Sequence, residues 1–565
     1  MGNKISIGKQ DFCSLREKRL FYVDKTYFIK EWWEADDDVT LITRPRRFGK
    51  TLNMSMLECF FSNRYEGRAD LFEGLSIWEE EKYRKLQGSF PVIFLSFAAV
   101  KAGNLEDAKM QIKMQIENLY AGYRYLLEGD MLTENERKQF LSMEAEMPDA
   151  YAATSVNRLC NYLSRCYGKK VIVLLDEYDT PMQEAYLKGY WEEFTDFVRS
   201  FFNSTFKTNP YLERAIMTGI TRISKKSIFS DLNNPKIVTT TCNEYAACFG
   251  FTEQEVFDSL EAFGMSGEKA DVKDWYDGFT FGDYTDIYNP WSITNFLDRG
   301  RYETYWASTS SNGLVSQLIQ SGTAEVKCQM EELLNGDNIR VDLDEQVVFS
   351  QLGKKRNAIW SLLLASGYLK IVEKDIGSAS GRSSLTLALT NREVRIMFDG
   401  LIRDWFDNDE TPGNAFLKSM LAGDLEAMNH YMNKIALATF SYFDTGRASS
   451  GDSEPERFYH GFVLGLLVEF REKYEIISNG ESGFGRYDIM MVPRQADNPK
   501  TPGFVIEFKV HHPEKEKDLE ETVKNALKQI EEKPYDARLL CRGVKKENIR
   551  HYGFAFEGKK VLIGS

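Results

Sequence analysis

Between an apolar run, Val39 to Thr43, and a helix-compatible stretch, Leu52 to Phe61, lies the tract Arg44-Pro45-Arg46-Arg47-Phe48-Gly49-Lys50-Thr51. It restricts the fold more than any other stretch. A Gly-Lys-Thr turn leading from a strand into a helix aims backbone N–H groups at a phosphate, and the helix dipole adds attraction. Lys50 in that setting reaches the β- and γ-phosphates, and the Thr51 hydroxyl ligates Mg²⁺. Phe48 and Gly49 supply loop backbone. The front of the tract departs from the usual phosphate loop, because Arg44 stands where the first glycine is expected. Arg44, Arg46 and Arg47 are expected to form a basic rim that holds phosphate or acts across subunits, with a solvated loop as the alternative.

A second feature completes the first. Asp176-Glu177 follows directly on Val171 to Leu175, a continuous apolar run of the kind buried on both faces of a parallel sheet. Asp176 is expected to hold Mg²⁺ through water, and Glu177 to orient and deprotonate the attacking water. Thr218 and Thr221 close the next strand, where a polar side chain senses the γ-phosphate, and Arg222 follows as a reporter of phosphate loss. With strands at Val39 to Thr43, Pro91 to Phe97, Val171 to Leu175 and Ala215 to Gly219 separated by helical stretches, the first half reads as α/β with a parallel sheet.

The segment from about 280 to 444 reads as helical. Within it, a helix (Ala358 to Gly367), a strand (Tyr368 to Glu373), a Gly/Ser-rich turn (Gly377 to Ser384) and a strand (Leu385 to Leu389) follow a winged-helix order. A helical spacer with one hairpin is the alternative. Arg447 to Pro455 is polar and turn-rich, a linker. A helix from Glu456 to Tyr474, strands around Arg486 to Val492 and Gly503 to Val510, and a charged helix near Lys515 to Glu532 then make a compact α-β-β-α unit. The expected domains are 1–290, 291–444 and 445–565.

The last unit carries its own chemistry. Gly485-Arg486-Tyr487-Asp488 opens one strand, and Ile506-Glu507-Phe508-Lys509 lies within the next. Alternate strand residues share a face, so Glu507 and Lys509 point together while Phe508 points into the core. Asp488 can meet Glu507, with the Phe508 carbonyl as a further ligand, in an oxygen-rich pocket for Mg²⁺ or Mn²⁺. Such a metal activates water and stabilises the phosphate being attacked, and Lys509 positions the water or offsets charge. Glu456 and His460, four residues apart on the preceding helix, are candidates to complete the metal shell. Gln529 and Tyr535 are candidates to orient the site or the substrate phosphate.

Charge limits the partners. With 71 Lys and Arg against 85 Asp and Glu, the net charge is −14, whereas proteins that coat duplex carry a basic excess. Contact with nucleic acid, expected to be DNA, must use a local patch. The eight cysteines form no CxxC pair, so neither zinc nor a disulfide framework is indicated, which fits a reducing cytosol. No apolar run is long enough to span a bilayer, and the expected location is cytoplasmic without membrane attachment. Gly2 and Ser6 match only a loose myristoylation pattern.

Taken together, these motifs make the chain resemble a bacterial family that joins an AAA-ATPase-like domain to a PD-(D/E)XK nuclease-like domain. The tract Arg44 to Thr51 looks like that family's variant phosphate loop, so Arg44 is normal there. Ile220 to Ser224 with Ser227-Ile228-Phe229 is similar to its sensor region. Trp275-Tyr276-Asp277-Gly278 and Ile287 to Ile293 also match its pattern. The resemblance implies an AAA/STAND-like ATPase fold, ATP as ligand, and a RecB-like nuclease core with Asp488, Glu507 and Lys509 as its active residues. The leading expectation is an ATP-regulated or ATP-driven nuclease, compatible with a homo-oligomer. The competing one is a nucleotide-dependent switch or scaffold whose nuclease-like domain only binds. A transcription regulator acting through the winged helix is third.

Overall fold

The computed structural model describes residues 4–222, 235–307, 313–320, 324–342, 358–375, 384–404, 412–439, 454–467, 470–471, 473–478, 481–482, 485–486, 488–494, 501–533 and 535–565. The chain divides into two compact units, 1–315 with 340–395, and 316–339 with 396–565. The stretch 291–444, expected as one middle domain, is therefore shared between them. The Gly/Ser-rich turn over 377–383, the sensor residues 223–229 and most of the linker 447–455 lie outside the described residues.

The first unit is built on a five-stranded sheet in the order β2-β3-β4-β1-β5, with every neighbouring pair parallel. Its strands are β1 (Val39–Thr43), β2 (Val92–Ser96), β3 (Val171–Asp176), β4 (Leu212–Gly219) and β5 (Pro235–Val238). The first four stand where the apolar runs placed them, and β5 is an added edge strand. β1 and β3 are buried at every position, which explains their unbroken Val, Ile and Leu content. The C-terminal ends of β1, β3 and β4 face one crevice, the usual ligand edge of such a sheet. A small antiparallel sheet follows, from β6 (Phe251–Thr252), β7 (Phe279–Phe281) and β8 (Tyr284–Tyr288).

The helix Ala358–Ala365 and the hairpin of β10 (Leu369–Asp375) and β11 (Ser384–Leu389) stand in the expected order, and β9 (Ile339–Asp342) adds a third strand beside β11.

The second unit carries a mixed sheet, β12-β15-β16-β17-β18. Its strands are β12 (Tyr474–Ser478), β15 (Ile489–Pro493), β16 (Gly503–Val510), β17 (Ile549–Glu557) and β18 (Lys560–Gly564), with the short pair β13 (Glu481–Ser482) and β14 (Gly485–Arg486) apart from it. Only β16 and β17 are parallel, and the helix Leu519–Glu532 lies in the connection between them. Asp518 caps that helix by accepting from the Glu521 N–H. The helix Glu454–Leu467 packs on the other side of β16, in a core with Phe504, Ile506 and Phe508. It stops seven residues before the expected end, because Tyr474 begins a strand. Phe470 and Tyr474 are spaced like a helical face, yet both are buried beside the sheet.

Candidate functional site

Gly49 sits at φ +80° as the cap of the helix Lys50–Phe61. That left-handed turn costs glycine little, and no atom lies within 4 Å of where a Cβ would stand. The space in front of the helix N-terminus is open. It belongs to a cleft of about 480 Å³ lined by Arg46 to Asn53, Asp176, Glu177 and Trp291, among others.

Two hydroxyls converge on the acid at the end of β3. Thr51 Oγ1 donates to Asp176 Oδ2 at 2.7 Å, and Thr218 Oγ1 to Asp176 Oδ1 at 2.5 Å. Asp176 is fully buried, and burial, seconded by the neighbouring Glu177, pushes its carboxyl above the usual range. Lys50 Nζ donates to the Arg44 and Pro45 carbonyls at 3.2 and 3.1 Å and lies 3.4 Å from Glu177 Oε1. Glu177 has φ +53°, a backbone state that non-glycine residues adopt mainly under constraint. The donors around Asp176 are all hard oxygens, a set that suits Mg²⁺.

Arg44 requires a correction. It is fully buried and turned away from the cleft. Its guanidinium donates to the carbonyls of Thr43, Thr239 and Glu244 at 2.9, 2.8 and 3.0 Å and stacks over Phe281 at 4.7 Å. Arg44 thus ties the end of β1 to the chain after β5, and the basic rim reduces to Arg46 and Arg47. Arg47, at φ +66°, lies 4.2 Å over the Trp291 ring. The Phe48 ring packs on Phe279 and Phe281, so Phe48 offers the cleft its backbone alone.

Thr221 is also engaged, though not with Asp176. Its N–H and hydroxyl both donate to Asp179 Oδ2 at 2.8 Å, and the Ile220 N–H joins at 3.0 Å. The fully buried Asp179 therefore locks the turn after β4 to the turn after β3. Sequence reasoning passed over it, although its place three residues after Asp176 was a readable signal. Arg222, half-buried, is the last described residue of this turn. The Asn289-Pro290-Trp291 stretch supports the loop from behind: Asn289 Nδ2 and Trp306 Nε1 donate to the Arg46 carbonyl at 3.3 and 3.0 Å.

In the second unit, β15 and β16 pair with Ile489 opposite Ile506. One step further along that antiparallel register, Asp488 stands opposite Glu507, where side chains of the two strands share a face. Asp488 Oδ2 accepts from the Phe508 N–H at 2.8 Å. Glu507 is almost fully buried, yet Lys509 Nζ lies 3.7 Å from its Oε1, and Gln529 Nε2 donates to the same oxygen. Tyr535 is buried beside them, its hydroxyl pushed up by burial and hydrogen-bonded to Gln529. Asp488, Glu507, Lys509, Gln529 and Tyr535 are thus brought together.

His460 takes a different place. Its Nε2 lies 3.1 Å from Ser478 Oγ, and its ring stacks on Phe508 at 5.4 Å. That sets the imidazole on the Phe508 side of β16, opposite the Glu507 side chain. Glu456 lies in the helix Glu454–Leu467, but its side chain falls outside the described ones.

One more acidic group appears in the first unit. Oxygens of Glu253, Asp277 and Asp286 lie within 4.8 Å of one another, and burial pushes Asp277 up to about 7. Lys273 Nζ already sits among them, bonded to Glu253 and 3.1 Å from Asp286 Oδ1, so the cluster carries its own counter-charge.

Residues 6–229 match the family described as a predicted AAA-ATPase, and residues 454–565 match the PD-(D/E)XK nuclease superfamily. The loop 44–51, Asp176 and Thr218 fall within the first match. Asp488, Glu507, Lys509 and Gln529 fall within the second. A curated relative from Azotobacter chroococcum mcd 1, described as an uncharacterized protein in the vnfD 5′ region, is 28% identical over 319 residues. That match covers 56% of this chain and 56% of the relative, so it spans about half the relative's length. Among the described residues, no helix is long and apolar enough to cross a membrane.

Proposed function

We propose, for a chain with an AAA-ATPase-like N-terminal region and a PD-(D/E)XK nuclease-superfamily C-terminal region, that it hydrolyses ATP at the first site and cleaves nucleic acid at the second. DNA is the expected substrate, ATP the regulator or driver of cutting, and the cytoplasm the setting.

The nuclease half is carried by one observation: Asp488 accepts from the Phe508 N–H next to Glu507, and Lys509 and Gln529 both turn onto the Glu507 carboxylate. A buried carboxylate so placed invites a divalent cation, Mg²⁺ or Mn²⁺, which would supply an activated water and charge stabilisation. Lys509 holds the attacking water or offsets charge on the phosphate, and Gln529 keeps Glu507 in position. In the ATP half, Gly49 and the following N–H groups receive the phosphates, and Lys50 exchanges its loop carbonyls for them. Thr51 and Asp176 would hold Mg²⁺, and Thr218 orients Asp176. Glu177 takes a proton from the attacking water.

Glu177→Gln tests the hydrolytic step. It should bind ATP within a fewfold of the wild type and turn over roughly 100-fold more slowly, about what a positioned general base contributes. Wild-type turnover in that variant would remove Glu177 from the reaction.

A further inference from the structure

The cleft at Lys50 has another cation, Lys101, among its lining residues. Lys101 follows β2, which pairs with β3 so that Ser96 lies opposite Asp176. The turn between is pinned at both ends. The Phe97 N–H donates to the Asp176 carbonyl at 3.0 Å, and the Val100 N–H to the Phe97 carbonyl at 3.0 Å. The N–H of Lys101 itself donates to Gln111 Oε1 at 2.9 Å, while Gln111 Nε2 donates back to the Lys101 carbonyl at 3.3 Å. On either side Val100 and Ala102 are buried, and the Ala102 carbonyl accepts from the Tyr190 hydroxyl at 2.9 Å. With its backbone clamped and both neighbours buried, Lys101 is exposed and is one of the residues that line the cleft.

The other cations of the cleft are engaged. Lys9 Nζ donates to Ser14 Oγ, Lys25 pairs with Glu255, Arg46 donates to Gln183, Arg47 lies on Trp291, and Lys50 holds the loop carbonyls. Among the described residues, no carboxylate pairs with Lys101. A surface lysine needs no such clamp, because its side chain gains little from a fixed backbone and loses entropy when ordered. A lysine that must meet charge developing at one point does need it.

We propose that Lys101 is a catalytic residue of the ATPase, a cation supplied by the same chain to the transferring γ-phosphoryl group. The inference rests on the hydrolytic reading above. In the step, the water oxygen bonds to the γ-phosphorus while the bond to the β–γ bridging oxygen breaks. The electron pair leaves with ADP, a water proton passes to Glu177, and inorganic phosphate is released. Charge spreads over the bridging and phosphoryl oxygens, and Lys101 offsets it from the β2 side while Lys50 does so from the β1 side.

The test uses the full chain with Lys101→Ala, Lys101→Arg and Lys50→Ala. In Lys101→Ala, kcat should fall roughly 100-fold, as on removal of one transition-state donor, with KM and ADP affinity within twofold. Lys101→Arg should recover most of the rate. Wild type should retain ADP with Mg²⁺ and aluminium fluoride, a transition-state mimic, whereas Lys101→Ala should bind ADP but not retain that complex. Lys50→Ala should lose ADP itself, marking simple loss of binding. Wild-type turnover or fluoroaluminate capture in Lys101→Ala would overturn the proposal alone. A wild type that binds ATP without hydrolysing it would overturn the proposal and the hydrolytic reading together.

Discussion

Arg44 occupies the place of a loop glycine and does a different job, since its charge holds three backbone carbonyls rather than a phosphate. Truncating it leaves those carbonyls buried without partners, a loss of about 3–5 kcal/mol by analogy with broken buried charge pairs. Arg44→Gly, although it restores the usual loop residue, should lower the midpoint of thermal unfolding and not tighten ATP binding; calorimetry and ADP titration check both. Glu393 makes a pH prediction. It is fully buried, accepts from Ser292 Oγ and the Trp306 N–H at 2.8 and 2.6 Å, and burial still pushes it up to about 7. Its folded pKa thus lies above its unfolded one, so the unfolded chain ionises first as pH rises. The stabilisation is complete below about pH 4.5 and is lost on the way to pH 7, about 3 kcal/mol at most. Urea midpoints across pH 4.5–8 should show that decline, and Glu393→Gln should flatten it. Lys50, Thr51, Asp176, Glu507 and Lys509 were legible in the sequence because their chemistry needs neighbours close along the chain. Lys101 and the inward turn of Arg44 were not, since each is set by contacts far along the chain, Tyr190 with Ala102 for the first and Thr239 and Glu244 for the second.

Secondary structure was legible where burial leaves an unbroken apolar signature, as in β1 and β3, and blurred where two periodicities overlap, as from Phe470 to Tyr474. β17 and β18 went unread, although Ile549–Glu557 and Lys560–Gly564 complete the sheet behind the second site. Their glycines explain how the helix Leu519–Glu532 comes close enough for Gln529 to reach Glu507. A Cβ on Gly553 would stand 3.0 Å from the Val523 carbonyl and 3.1 Å from Ala526 Cβ, and one on Gly564 would stand 2.6 Å from Val523 Cγ1. Gly553→Val should therefore push the helix off the sheet, costing about 1–3 kcal/mol as overpacking does. Metal-dependent cleavage should drop at least tenfold while ATP turnover in the other unit stays at the wild-type rate. Unchanged cleavage in a folded Gly553→Val protein would show that the helix position does not set Glu507.

At the scale of the molecule, the net charge of −14 implies few phosphate contacts. The slope of log affinity for DNA against log salt should be shallow, about −2 to −4, where an extended basic surface gives steeper values. A slope near −8 in a fluorescence titration would mean that a large basic surface forms on binding. Whether a metal-dependent nuclease is joined to an ATPase here is read out by cleavage of end-labelled single-stranded, linear duplex and supercoiled DNA with Mg²⁺ or Mn²⁺, with and without ATP. Wild type should cut at least one of these substrates, Glu507→Ala should cut none, and Lys50→Ala should abolish the effect of ATP. Cutting that survives in Glu507→Ala would remove that carboxylate from the reaction, and ATP hydrolysis by a wild type that cuts no substrate would favour a nucleotide switch whose second domain only binds.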